Sequence, residues 1–442
     1  MSTNKPTPST PSLSYEQQRA LEQMHRGDNI FLTGGAGTGK STVIRAYEET
    51  TKKRSAKLAP TGAAAARIKG ATIHSTFGLR QRGYLPDYKS YLPAEQADYL
   101  RDIETLIIDE VSMVRVDVLN AIDMTLRHIC ETNLLFGGKQ VILVGDLYQL
   151  SPIAREEEKI MLEECYEGIL PFYAPCWRYG NFTSIILREI HRQADPLFAN
   201  LLNEIRTGGT MDYWGPASWQ TAIDKLNSLL HIAFEAPKNA VVLCAINAHA
   251  DSLNTIMDAN ISSASSDFYA HCSGEVYFNE IGADEVVSVR VGSRVLLTAN
   301  RINQEEGGFD YTNGDQGIVT EIKESAICIR LDRGRSVEVN RHVWETTRFH
   351  YDKETKTKTE EVIGSCWQFP IRLGYAISIH KSQGMSLDNV NLRLTRQMFA
   401  PGMLYVALSR CRSLAGLSLS RPLFYGDVIP NPAVDAFYAS LP

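Results

Sequence analysis

Residues 29–49 read NIFLTGGAGTGKSTVIRAYEE, an apolar run that passes through a glycine-rich turn into a helix-forming stretch. The run Asn29–Thr33 has the length and composition of a buried strand, and the residues after the turn have a helical pattern. Between them GGAGTGKS, residues 34–41, matches the phosphate-binding loop of nucleoside triphosphatases. Its glycines permit a tight turn, so the backbone N–H groups of Gly34, Gly35, Ala36, Gly37, Thr38 and Gly39 can face phosphates while the next helix offers its positive N-terminus. Lys40 is expected to reach the β- and γ-phosphates of ATP and the Ser41 hydroxyl to hold Mg²⁺, with Thr42 beside them.

Working outward, similar apolar runs recur at Ala56–Pro60, Thr105–Asp109 and Gln140–Gly145, with helical patterns between them. That alternation predicts an α/β domain with a parallel sheet and helices on both faces. A second set at Ala240–Ala245, Gly374–Ser378 and Val390–Leu394 predicts a second α/β domain. Over residues 291–362 the texture changes to short alternating strands such as RVLLT, QGIVTEI, AICIRL and SVEV, which reads as a small all-β insert. Its far edge, YDKETKTKTEE, is charged and poor in apolar residues, as expected of a solvated hairpin tip or loop. The chain thus divides into a flexible tail (1–14), a first domain (15–186) with a short insert at about 79–98, and a second domain (187–290 and 363–442) interrupted by the β insert.

With 442 residues and 44% hydrophobic content, the chain can bury several cores. Its eight cysteines include no CxxC pair and no zinc spacing, which argues against metal ribbons and disulfide frameworks and suits a reducing compartment. The N-terminal MSTNKPTPSTPSLS lacks the apolar core of a signal peptide, and no apolar stretch is long enough to span a bilayer, so a cytoplasmic protein without a membrane partner is expected. A net charge of −6 neither supports nor excludes a nucleic-acid partner, because a local basic groove can sit on an acidic protein.

The sequence LIIDE, residues 106–110, supplies the second half of a hydrolytic site. Asp109 at a strand end can coordinate Mg²⁺ through water, and Glu110 can polarise the attacking water. Gln149, just beyond the strand VILVGD, can sense the γ-phosphate, although alone it would be an ordinary loop amide. The transition state also needs positive charge; Arg192 in REIHRQ and Arg410 in YVALSRCRS are the candidates, with a surface or salt-bridged fate as the alternative for each.

The series LSYEQ, GGAGTGKST, APTGAAA, TIHSTFG, IIDEVSM, GDLYQLSPI, REIHRQADPLFANLLNEIRTG, AISIHKSQGMSL and YVALSRCRS runs in this order from Gln17 to Arg412. It resembles superfamily-one B DNA helicases, and within them the petite-integration-frequency (Pif-type) family, with RecD-like and Dda-type enzymes as near relatives. The resemblance implies two RecA-like domains, a small SH3-like barrel in the second, and ATP bound in the cleft between them. Gln17 would read adenine, Gln383 and Gly384 would line the nucleotide site, and Arg192 and Arg410 would arrive from the far side. DNA contacts would fall on Pro60, Thr61, Gly62, Thr72, His74, Phe77, His380 and Lys381, with Phe77 stacking on a base or else filling the core. The family places its strand-separating wedge near 79–98, where Tyr84, Tyr88 and Tyr91 form no evident motif. The resemblance further implies 5′→3′ travel on single-stranded DNA, action at single-strand/duplex junctions and on G-quadruplex DNA in replication, repair or recombination, a monomeric state, and a bacterial or phage source. A non-translocating P-loop switch and an RNA-tracking helicase of the same fold are the rival readings.

Overall fold

The computed structural model describes residues 13–79, 83–190, 195–208, 217–237, 239–276, 278, 281, 283–302, 309–311, 314–352, 357–395 and 397–441. Most of the tail expected over 1–14, and Arg192, lie outside these residues. Six parallel strands form the first sheet in the order Ala71–Thr72, Ser55–Ala59, Thr105–Ile108, Gln140–Val144, Ile30–Gly34 and Thr183–Leu187. Ile30–Gly34 sits between two partners, in register Ile30↔Ile142 and Ile30↔Thr183. It, Thr105–Ile108 and Gln140–Val144 are buried along their whole length, because helical crossovers cover both faces of a parallel sheet. The entry helix Tyr15–Arg26 starts on a capping box in which the Ser14 hydroxyl accepts from Gln17 N and the Gln17 side chain accepts from Ser14 N.

A second parallel sheet runs Ala376–Ser378, Val241–Cys244, Val390–Arg393, Leu417–Leu419 and His231–Ile232. Between its strands lies a five-stranded antiparallel sheet, ordered Ser336–Asn340, Ala326–Leu331, Gln316–Ile322, Arg294–Leu297 and Ile371–Leu373, around a core of Val, Ile and Leu side chains. Antiparallel pairing is wider than residues 291–362: it begins with Ser266–Tyr269 against Val286–Val289 and ends with Ile371–Leu373. The charged segment expected as a hairpin tip or loop lies partly outside the described residues, and its described ends pair in the long strands His342–Asp352 and Thr357–Gln368, the first of which leans on the helix Ala94–Asp102 of the first lobe.

The chain then returns. The helix Pro432–Ala439, expected in the second domain, packs instead into the core of the first, where Val434 and Tyr438 are buried. Phe437 stacks on Phe172 and meets Phe31 edge-on, Tyr438 stacks on Tyr148, and the Tyr438 hydroxyl bonds Thr33 at 2.6 Å. These aromatic pairs extend the first-lobe core beside the strand Ile30–Gly34.

Phe77 belongs to that same first-lobe core and has no exposed surface, so it does not stack on a base in this arrangement. Of the three tyrosines at the expected wedge, Tyr84 is buried and packs on Tyr88, while Tyr91 is exposed. Phe77→Ala should destabilise the protein by about 3–5 kcal/mol through the cavity it leaves. Thermal melting should show that loss, and oligothymidine affinity below the melting range should stay close to wild type.

Candidate active site

The loop expected to hold phosphates connects the buried strand Ile30–Gly34 to the helix Lys40–Thr50. Gly37 and Gly39 both take φ of 83°, in the left-handed region where a side chain would be strained, and Gly39 caps the helix. The Lys40 ammonium donates to the carbonyls of Gly34 (2.7 Å) and Gly35 (3.0 Å), and the Thr38 hydroxyl donates to Gly35 O (3.0 Å). Burial lowers the Lys40 pKa from its ordinary value, against the opposing pull of Asp146 and Glu110. Gln17 is buried, and its amide donates to Thr38 O at 3.3 Å, bracing the loop from the entry helix. Ser41 and Thr42 open the helix, with Ser41 exposed.

Asp109 and Glu110 follow the strand Thr105–Ile108. Asp109 Oδ1 accepts from Glu110 N at 2.9 Å, and Glu110 adopts the left-handed region (φ 50°), which turns its side chain into the cleft. Arg67 Nη2 donates to both carboxylates, at 3.2 Å to Asp109 Oδ2 and 2.8 Å to Glu110 Oε1. Burial and the neighbouring Glu110 charge raise the Asp109 pKa. Burial would also raise that of Glu110, but the Arg67 guanidinium, with Lys40 and Arg410, holds it below the usual range.

From the second lobe, the Gln383 amide lies 3.5 Å from both Glu110 Oε2 and Gln149 Oε1. Gln383 Oε1 is buried and has no hydrogen-bond partner among the described residues, an acceptor left open at the heart of the cleft. Gly384 lies against the Arg67 guanidinium, leaving no room for a side chain. Arg410 is buried; it donates to Val406 O at 2.9 Å and Ser409 Oγ at 2.8 Å, and its charge reaches Glu110. The cleft thus gathers Lys40, Asp109, Glu110, Gln149, Gln383, Gly384 and Arg410.

Three further residues tie the lobes together. The Tyr405 hydroxyl accepts from Ala36 N at 2.7 Å, inside the phosphate loop, and donates to Asp146 Oδ2 at 3.3 Å. Arg206 makes a fork to Asp146, with three contacts of 2.9–3.1 Å, and its guanidinium lies 4.9 Å from the centre of the Tyr148 ring. Sequence reasoning passed over Asp146, Arg206 and Tyr405 although all three sit inside quoted motifs. Arg67 ends an alanine-rich helix and carried no signal beyond being its one cation.

The residues expected to touch DNA lie at the carboxyl ends of strands at or next to one edge of each parallel sheet. Pro60, Thr61 and Gly62 follow Ser55–Ala59, Thr72 ends the adjacent edge strand Ala71–Thr72 with His74 two residues on, and His380 and Lys381 follow Ala376–Ser378 at the edge of the second sheet. Thr61 and Thr72 accept from Ala64 N and Ser75 N, which fixes both turns. Burial lowers the pKa values of His74 and His380, so near neutral pH both offer hydrogen bonds rather than charge.

The sequence model of the PIF1-like helicase family matches residues 12–212. The chain is 32% identical over 439 residues to the ATP-dependent DNA helicase Pif1 of Bdellovibrio bacteriovorus, covering 96% of this chain and 91% of that protein. Unliganded Pif1 from Bacteroides superposes with a TM-score of 0.81 at 33% identity, covering 97% of each chain. The Bacteroides enzyme bound to single-stranded DNA gives 0.71 at the same identity and coverage.

Removing one partner of the buried Asp146–Arg206 pair strands the other, so Asp146→Ala or Arg206→Ala should each cost about 3–5 kcal/mol. Chemical denaturation of both singles and the double variant checks this; the double should cost clearly less than the sum.

Proposed function

The chain belongs to the PIF1-like helicase family, and from that premise we infer how its cleft turns ATP hydrolysis into movement on DNA. It is an ATP-dependent DNA helicase, an ATP-hydrolysing enzyme. The observation that carries the mechanism is that the hydrolytic groups come from both lobes: Lys40, Glu110 and Gln149 from the first, Gln383 and Arg410 from the second. A site divided in this way is complete only when the lobes meet, so binding closes it and hydrolysis reopens it.

Gln17 lies beside the phosphate loop, where it can read the base, and the loop amides with Lys40 take the phosphates. The open Gln383 oxygen and the Glu110 carboxylate face the space in which the attacking water would be oriented. The hydroxyl of Ser41 and the carboxylate of Asp109 are hard oxygen donors that suit Mg²⁺, which would neutralise charge on the phosphates. Arg410 adds positive charge from the second lobe, and Arg192 is proposed to do the same.

The single strand would run over Pro60–Gly62, Thr72, His74, His380 and Lys381, with turn amides and hydroxyls holding its phosphates. Alternating grip by the two lobes would move the enzyme 5′→3′ and unwind the duplex at single-strand/duplex junctions, with G-quadruplex DNA as a further substrate. Arg410 brings positive charge to Glu110 in cis, where other P-loop enzymes take it from a second molecule, which supports action as a monomer. Among the described residues no helix is long and apolar enough to cross a membrane. The eight free cysteines suit work in a reducing, intracellular compartment.

Steady-state hydrolysis should rise on adding oligothymidine, and a rate indifferent to DNA would sink this reading. Lys40→Ala should abolish turnover while leaving strand binding intact. Arg410→Ala should lower kcat by about 10³-fold with little change in nucleotide affinity. Partial duplexes with a 5′ or a 3′ tail test polarity, since only the former should be unwound.

A further inference from the structure

Arg67 sits where none of the steps above uses it. It closes the six-residue helix Gly62–Arg67, about 9 Å long, whose first turn belongs to the segment proposed to hold the strand. Its guanidinium donates to Asp109 and Glu110 and lies against Gly384 of the opposite lobe. Each oxygen of Glu110 therefore faces a donor: Oε1 takes Arg67 at 2.8 Å and Oε2 faces the Gln383 amide at 3.5 Å. Both donors are rooted in strand-holding segments, Arg67 five residues after Gly62 and Gln383 two after Lys381. Among the described residues only Arg67 makes a short, charge-assisted bond to this carboxylate. The present arrangement also superposes more closely on the unliganded Bacteroides relative than on the one bound to single-stranded DNA.

We propose that Arg67 is the positioning residue that makes hydrolysis answer to the strand. Without DNA it holds the Glu110 carboxylate in an ion pair and keeps it from the attacking water. A strand docking on Pro60–Gly62 shifts the short helix, draws the guanidinium away and releases Glu110. Because Gly62 and Arg67 are the two ends of one helical unit, a displacement at Gly62 carries to the residue that bears the guanidinium. This rests on the reading of the chain as a DNA-stimulated ATPase.

The test uses the full chain with Arg67→Gln, which keeps a polar side chain but loses the charge, and Arg67→Lys, which keeps the charge but loses the fork. ATP turnover is measured with and without oligothymidine, alongside fluorescent-nucleotide binding, strand affinity by anisotropy, and thermal melting. For Arg67→Gln the strand-free kcat should rise about tenfold, the effect of one lost charge-assisted hydrogen bond. The stimulated kcat, the KM for ATP and strand affinity should stay near wild type, so that the stimulation ratio collapses; Arg67→Lys should fall between. Equal loss of both rates would make Arg67 a contributor of charge to the chemistry and overturn the proposal, as would an unchanged ratio. If melting shows Arg67→Gln unfolded, the ratio for Arg67→Lys decides on the same terms. A wild-type rate indifferent to DNA removes the underlying helicase reading as well, whereas a stimulated wild type with an unchanged variant ratio removes only the role of Arg67.

Discussion

Asp146 is fully buried and the Arg206 side chain is 9% exposed, and the carboxylate could not keep its charge there without the guanidinium. Asp146 ends the strand beside the phosphate loop, and Arg206 ends a helix that belongs to the core of the second lobe. Their pairing brings that helix to the loop. Once it is in place, Tyr405 can reach Ala36, the Arg206 guanidinium can cover Tyr148, and Tyr148 can stack on Tyr438. An ion pair earns little net stability when desolvation is counted, but it discriminates strongly against arrangements that leave either charge unmatched. Its main effect here is on geometry: it selects one relation between the lobes out of the many that apolar contact alone would tolerate.

The same logic explains the electrostatics of the cleft. Lys40, Arg67 and Arg410 stand against Asp109, Glu110 and Asp146 in a space where water is largely excluded, and the acids respond unequally. Asp109 is pushed up by burial and by its neighbour, whereas Glu110 stays low because the cations cluster on its side. Two adjacent carboxylates in one sequence motif are thereby pushed in opposite directions by position alone.

Much of this was legible beforehand, because the phosphate loop and acidic strand end are local: a few adjacent residues contain both the turn and the chemistry. The two parallel sheets were visible for the same reason, through apolar runs of strand length. What escaped the sequence was everything that depends on distant segments meeting. Arg67 and Glu110 are 43 positions apart, and Asp146 and Tyr405 are 259 apart, so no spacing announces either contact. Phe77 shows the converse problem, since an aromatic residue in a binding motif serves stacking or core equally well until its neighbours are known. Val286–Val289 and Ile371–Leu373, apolar strands at the borders of the β insert, could have joined either domain, because a short apolar run does not say which sheet it pairs with.

The return of Pro432–Ala439 to the first lobe changes the mechanical description of the molecule. The chain leaves the first lobe after Leu187 and comes back to it at the final helix, so the second lobe is suspended between two covalent connections instead of hanging from one. A body held at two points swings about the line joining them and resists twisting out of that plane. Movement between the lobes would thus be confined to a restricted arc, and one of the two connections, through Tyr438 and Thr33, is anchored on the strand that carries the phosphate loop.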